Sequence, residues 1–181
     1  PAPHFLAVPS FGLDIGDESL KYLELVNTKN GIRVGRHGER SIPPGVIELG
    51  EIKDPRKIEE ILIKLRDEVG LKSVRVSLLE EQVYLFKLRL DKSGLESIRE
   101  SIELSIEEHI PLKASETIFD YELLGQDEKS LEFQVAAIPK NVIESYLAVF
   151  KNSQIRVESF ELEAQAISRS VIKKGDLETY M

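Results

Sequence analysis

Cysteine and tryptophan are absent from this chain, and methionine occurs once. Without thiols there is no disulfide framework and no thiolate-ligated metal site, a composition that fits a reducing compartment. Long apolar runs are missing too. Phe5-Leu6-Ala7-Val8 is too short to span a bilayer and lacks the basic leader of a secretion signal. Basic residues are outnumbered: 24 Lys and Arg face 32 Asp and Glu, leaving a formal charge of −8. No basic cluster offsets that balance, which argues against phosphate-rich nucleic acid as a partner. Histidine is scarce, and His4, His37 and His109 show no metal-ligand spacing. Serines are plentiful, yet no nucleophile elbow accompanies them. From these absences the chain is expected to stay in the cytoplasm, with any membrane contact made through a partner.

What is present fits one domain or two small ones, since 181 residues can bury a substantial core. The most informative stretch is Phe11-Gly12-Leu13-Asp14-Ile15-Gly16, followed by Asp17-Glu18-Ser19-Leu20-Lys21-Tyr22-Leu23-Glu24-Leu25. Apolar runs on either side of a polar bend predict a hairpin. Gly16 at its tip can take positive φ, and the amides of a tight turn can point at an anion. The same residues are also the usual composition of a plain polar turn. Asn30-Gly31 predicts a two-residue turn into a short strand, Ile32-Arg33-Val34. Residues 35–53 read as a Gly- and Pro-punctuated connection with Val46 to Leu49 extended. Asp54 then caps a helix with Pro55 at its first position; Ile58, Ile61, Leu62, Leu65 and Val69 share one face and Gly70 ends it. Val74, Val76 and Leu78 alternate as a strand expected beside the opening three.

From Glu80 the pattern changes. Val83 to Leu90 predicts a strand, and Ser93 caps a helix with Leu95, Ile98, Ile102 and Ile106 on one face, stopped at Pro111. Thr117 to Leu124 and Leu131 to Ile138 read as strands joined by a polar turn, and Asn141 to Lys151 as a helix with Ile143, Tyr146, Leu147 and Phe150 inward. This succession makes a compact α+β unit. Arg156 to Phe160 reads as a strand leaving it, and Glu161 to Lys173 as a helix with Leu162, Ala166, Ile167 and Val171 inward.

The run Gly12-Leu13-Asp14-Ile15-Gly16, with Ser19 and Lys21, resembles the first phosphate motif of the actin-like ATPases. Gly50-Glu51-Ile52-Lys53-Asp54, Ile106-Glu107-Glu108-His109-Ile110-Pro111, Val135-Ala136-Ala137-Ile138-Pro139 and Val157-Glu158-Ser159-Phe160-Glu161-Leu162-Glu163-Ala164 follow in order. Together they narrow the likeness to the N-terminal half of the PilM family, actin-like proteins of type IV pilus assembly. The resemblance implies an α/β (α+β) fold: an actin-like, ribonuclease H-like lobe 1A, incomplete, from residues 1–79 plus 157–181. Residues 80–156 would be an inserted 1C subdomain of SHS2 type, as in the cell-division protein FtsA.

By the same resemblance Asp14 would order the hydrated Mg²⁺ of ATP, while Gly16, Ser19 and Lys21 would hold its phosphates. Asp17 and Glu18 stand where the family has small hydroxyl residues, and two extra carboxylates oppose a triphosphate unless a metal neutralises them. In the family a second lobe supplies the other phosphate turn and the adenosine-binding segment, and neither follows residue 25 here. ATP and Mg²⁺ therefore belong to the complete two-lobe protein, with weak or no ATPase activity; this chain alone is expected not to turn over ATP. No catalytic residue is assigned. The resemblance further implies a cytoplasmic scaffold peripheral to the inner membrane. It would receive the N-terminal cytoplasmic peptide of a PilN-like membrane protein in a groove between lobe and 1C. Alternatives are an actin-like ATPase, or a self-associating filament subunit, of type II secretion or FtsA-like cell division. Glu96, Glu100, Glu103, Glu107 and Glu108 read as a solvated helix face, His109 as a helix-end residue favoured by the dipole, and Lys173-Lys174 as too short a basic run to bind a membrane.

Overall fold

The structure is a computed structural model and describes residues 10–78, 80–93 and 97–172. In chain order its elements are β1 (Phe11–Ile15), β2 (Ser19–Thr28), β3 (Gly31–Ser41), β4 (Ile47–Glu48), β5 (Glu51–Ile52), α1 (Pro55–Val69), β6 (Ser73–Leu78), β7 (Tyr84–Asp91), α2 (Ile98–His109), β8 (Thr117–Gln126), β9 (Ser130–Pro139), α3 (Lys140–Asn152), β10 (Arg156–Leu162) and α4 (Glu163–Val171). The chain divides into two compact units, residues 1–80 with 147–181 and residues 81–146. Phe5 to Val8, His4, Leu95, Glu96 and Lys173-Lys174, named in the sequence analysis, lie outside the described residues.

In the first unit β1, β2 and β3 form an antiparallel ribbon, and β6 and β10 extend it in parallel from β1, giving the order β10-β6-β1-β2-β3. Alternation sorts the two faces. Phe11, Leu13, Ile15, Val74, Val76 and Leu78 are buried, whereas Gly12 and Arg75 are exposed and Asp14 and Ser77 half-buried. The apolar stripe of α1, Ile58, Leu62 and Leu65, is fully buried as well. Its ends are set by sequence-local chemistry: the Asp54 carboxylate accepts from the Lys57 amide at 3.1 Å, and Gly70, at φ 72°, donates to the Arg66 carbonyl at 2.8 Å.

The connection expected over 35–53 is instead mostly strand, because β3 continues through Gly35 and Gly38 to Ser41. A Cβ at Gly38 would lie 2.7 Å from Tyr22 Oη, and one at Gly35 2.7 Å from Val26 Cγ2. Glycine is there to admit neighbouring side chains rather than to end the strand. The ribbon's far turn is Lys29-Asn30, with Gly31 at φ 106° opening β3. Opposite Glu24 the ribbon carries a bulge. The buried Glu24 carboxylate accepts from Arg36 Nε at 2.8 Å and Nη2 at 2.6 Å, while Arg36 Nη1 donates to the Val69 carbonyl at the end of α1. The Arg36 side chain holds the Glu24 carboxyl below the usual carboxylate range.

Val46 to Leu49 is not one extended run either. β4 folds back on β5 through Leu49 (φ 50°) and Gly50 (φ 75°). Leu162 belongs to β10, and α4 buries no side chain: Ile167 is 52% and Val171 68% exposed. Helical spacing states that apolar side chains share a face, not that anything covers it.

The second unit is an antiparallel sheet in the order β7-β9-β8. Its core joins Leu88, Phe119, Phe133, Val135 and Ala137 to Ile102 and Ile106 of α2. Ser97, not Ser93, caps α2, accepting from the Glu100 amide at 3.3 Å. Ile110 closes it in extended conformation, as the residue before a proline prefers. The division between the units falls within α3, after Tyr146; along this helix Ile143, Tyr146 and Phe150 are buried, but Leu147 is 44% exposed.

Candidate functional site

The pleat that buries Leu13 and Ile15 turns Asp14 to the opposite, open face of the sheet. There Asp14 is paired with Lys21 across β2 and with Ser77 across β6. Ser77 Oγ donates to Asp14 Oδ1 at 3.0 Å, and Lys21 Nζ stands 3.9 Å from Oδ2. Asp14 keeps 39% and Lys21 59% of its side chain accessible. Both line a groove of about 1240 Å³ on this face, together with Gly12, Ser77, Arg75 and Arg169.

The structure thus brings Asp14 and Lys21 together and sets Gly16 and Ser19 apart from them, at the hairpin tip. The Gly16 amide donates to the Ser19 carbonyl at 2.9 Å. Gly16 is not among the glycines with positive φ, and a Cβ there would meet the Ser19 carbonyl at an ordinary 3.7 Å. The expectation that its conformational freedom shapes the tip is corrected: the turn closes with φ in the common range, and its amide is spent on the hairpin itself.

Asp17 departs from expectation in another way. Its Oδ2 accepts from the Leu49 amide at 2.8 Å and its Oδ1 from the Gly50 amide at 3.0 Å. The groove on the open face is lined by Asp14 and not by Asp17. One of the two carboxylates expected to oppose phosphate is therefore engaged with backbone donors, and Glu18 is the exposed one.

Sequence reasoning missed Ser77. Nothing local marks it, since the β1–β6 pairing joins residues 63 apart. It also had no means of finding the partners of Asp17, on a turn 32 and 33 residues away.

Magnesium favours octahedral oxygen coordination, keeps several waters and is commonly held by one or two carboxylates plus phosphate. Among the described residues no three His, Asp or Glu side chains converge to hold an ion. A single half-exposed carboxylate, oriented by a serine hydroxyl and flanked by an ammonium, fits a hydrated Mg²⁺–phosphate pair and not a bare ion. Asp14 would face the hydrated ion and Lys21 a phosphate oxygen.

In the second unit Glu100, Glu103 and Glu107 surround Leu104, itself 82% exposed. His109 donates from Nδ1 to the Ser105 carbonyl at 2.8 Å and stacks on Phe86 with ring centroids 4.5 Å apart. Both features belong to one helix and its end. Among the described residues no helix is long and apolar enough to cross a membrane.

A mixed sheet opened by three antiparallel strands, with an Asp facing outward from the first, places the first unit in the α/β class. Within that class the chain belongs to the type IV pilus assembly protein PilM family, whose sequence model matches residues 12–176. It is similar in structure to a chain of the PilM–PilN type IV pilus biogenesis complex, with a TM-score of 0.79 and 21% identity over 90% of this chain and 49% of that one. It is also similar to the cytoplasmic domain of EpsL, an inner membrane component of the type II secretion system of Vibrio cholerae, with a TM-score of 0.59 and 11% identity over 84% of this chain and 57% of that one. The chain therefore spans about half the length of these two matched chains.

Proposed function

We propose that this chain is the first lobe, with its 1C subdomain, of a cytoplasmic scaffold in the inner-membrane platform of type IV pilus assembly. The second unit, residues 81–146, takes the place of 1C. The scaffold's partner is the short N-terminal cytoplasmic peptide of a PilN-like membrane protein, which keeps the protein at the inner membrane. The observation that carries this reading is the family match over residues 12–176, which runs through both units. Calorimetric titration of the chain with that peptide tests it. Saturable 1:1 binding is expected; binding to the corresponding tail of a secretion or division protein, and not to the pilus peptide, would move the assignment there.

The open-face arrangement favours a second role within the same protein. Asp14 and Lys21 form the phosphate-facing edge of a nucleotide site that becomes complete only in the full-length protein, with Ser77 orienting Asp14. Mg-ATP binding to the full-length protein is expected to fall on the order of 10- to 100-fold with Asp14→Ala and less with Ser77→Ala, as loss of a metal-facing group and of its supporting hydrogen bond should do. Equal affinity in wild type and Asp14→Ala would remove Asp14 from the site.

A further inference from the structure

We propose that Asp17 is a positioning residue for the phosphate-facing end of the β1–β2 hairpin; this rests on the reading of Asp14 and Lys21 as nucleotide-facing. The amides of Leu49 and Gly50 are consecutive, and both residues are left-handed, at φ 50° and 75°. Successive amides in such a turn converge on one side and make a concavity for an anion. Here the chain's own carboxylate fills it, with Leu49 N–H donating to Oδ2 at 2.8 Å and Gly50 N–H to Oδ1 at 3.0 Å. A second tether holds the neighbouring residue, since the Ile42 amide donates to the Glu18 carbonyl at 2.8 Å.

Asp17 and Glu18 are the residues between β1 and β2 that follow Gly16, so the tip is tied at both of them. The strands leave this tip as the Ile15–Leu20 pair, and the next register is Asp14–Lys21. Fixing the tip fixes the separation of the carboxylate and the ammonium on the open face. The clamp also explains how an acidic residue is accommodated so close to a phosphate site. Two amide dipoles offset its charge, and its oxygens are turned to the β4–β5 turn.

The test combines amide hydrogen exchange at Leu49 and Gly50 with Mg-ATP titration, in full-length wild type, Asp17→Ala and Asp17→Asn. Asp17→Ala is expected to speed exchange at both amides and to weaken Mg-ATP binding on the order of tenfold, the usual cost of losing a supporting partner of a binding group. Asp17→Asn, whose amide oxygen still accepts one bond, should restore part of both effects, and it keeps the experiment decisive if Asp17→Ala does not fold. Faster exchange with unchanged Mg-ATP affinity would show that the clamp serves stability only and overturn the proposal. Unchanged exchange would overturn the clamp itself. If wild type bound no Mg-ATP while the exchange rates responded, the nucleotide reading would have failed, and the positioning role with it, while the clamp stood.

Discussion

Two hairpin turns in this protein each carry an aspartate, and they use it in opposite ways. At the β8–β9 turn the Asp127 carboxylate folds back on its own loop, accepting from the Lys129 amide at 2.8 Å, the Ser130 amide at 2.7 Å and Ser130 Oγ at 2.9 Å. At the β1–β2 turn the Asp17 carboxylate reaches the distant amides of Leu49 and Gly50. Asp127 stabilises the turn that contains it, and its remaining partner, Arg89 Nη2 of β7 at 2.6 Å, is an exposed ion pair. Asp17 joins two turns, so its contribution depends on both being formed. A local cap is a property of a few residues; a clamp is a property of the fold, and only the clamp can fix a site against its surroundings.

The largest effect that can break this contrast is at Asp17 itself. Asp17→Ala should lower stability by about 2 kcal/mol in urea unfolding, as expected when charge-assisted bonds to two backbone amides are lost. A loss no larger than that of Asp127→Ala would erase the distinction. Gly50→Ala attacks the clamp from the other side. A methyl group at φ 75° should cost about 1 kcal/mol. Combined with Asp17→Ala it should cost less than the sum, because both changes break the same contact.

The next effect is conditional on pH. The Lys129 amide, then the Ser130 hydroxyl and amide, and Arg89 lower the Asp127 pKa from 3.8 to about 2. A depressed folded-state pKa contributes stability that is fully present above 3.8 and is lost as pH falls towards 2. The urea midpoint of wild type should therefore exceed that of Asp127→Asn at pH 5, and the two should converge near pH 2. A constant difference would assign the effect to shape and not to charge. The smallest change is expected at Leu49, a branched residue in left-handed backbone. Leu49→Asn should stabilise by about 0.5 kcal/mol while keeping the amide that Asp17 uses.

Much of the fold was legible in the residues. The opening hairpin, α1 with its Asp54-Pro55 start and Gly70 stop, and the alternation of Val74, Val76 and Leu78 all rest on interactions a few residues long. The family likeness was legible for the same reason, since it lies in short runs in a fixed order. What was misread followed one pattern. Gly35 and Gly38 read as breaks, but their neighbours across the sheet make them spacers. Ile167 and Val171 read as core, but periodicity carries no knowledge of a covering element. Gly16 read as a special conformation, but its turn closes without one.

The candidate site divides along the same line. By itself the sequence determined a hairpin with Asp14 on one arm and Lys21 on the other, both marked by the likeness to a phosphate motif; that the two face each other is set by the register of β1 on β2. Only the tertiary structure decided that Ser77 orients Asp14 and that Asp17 is held aside by Leu49 and Gly50. Those contacts join segments 63, 32 and 33 residues apart. Closing such loops costs chain entropy that no local motif can offset, so the partners are set by the packing of the whole lobe.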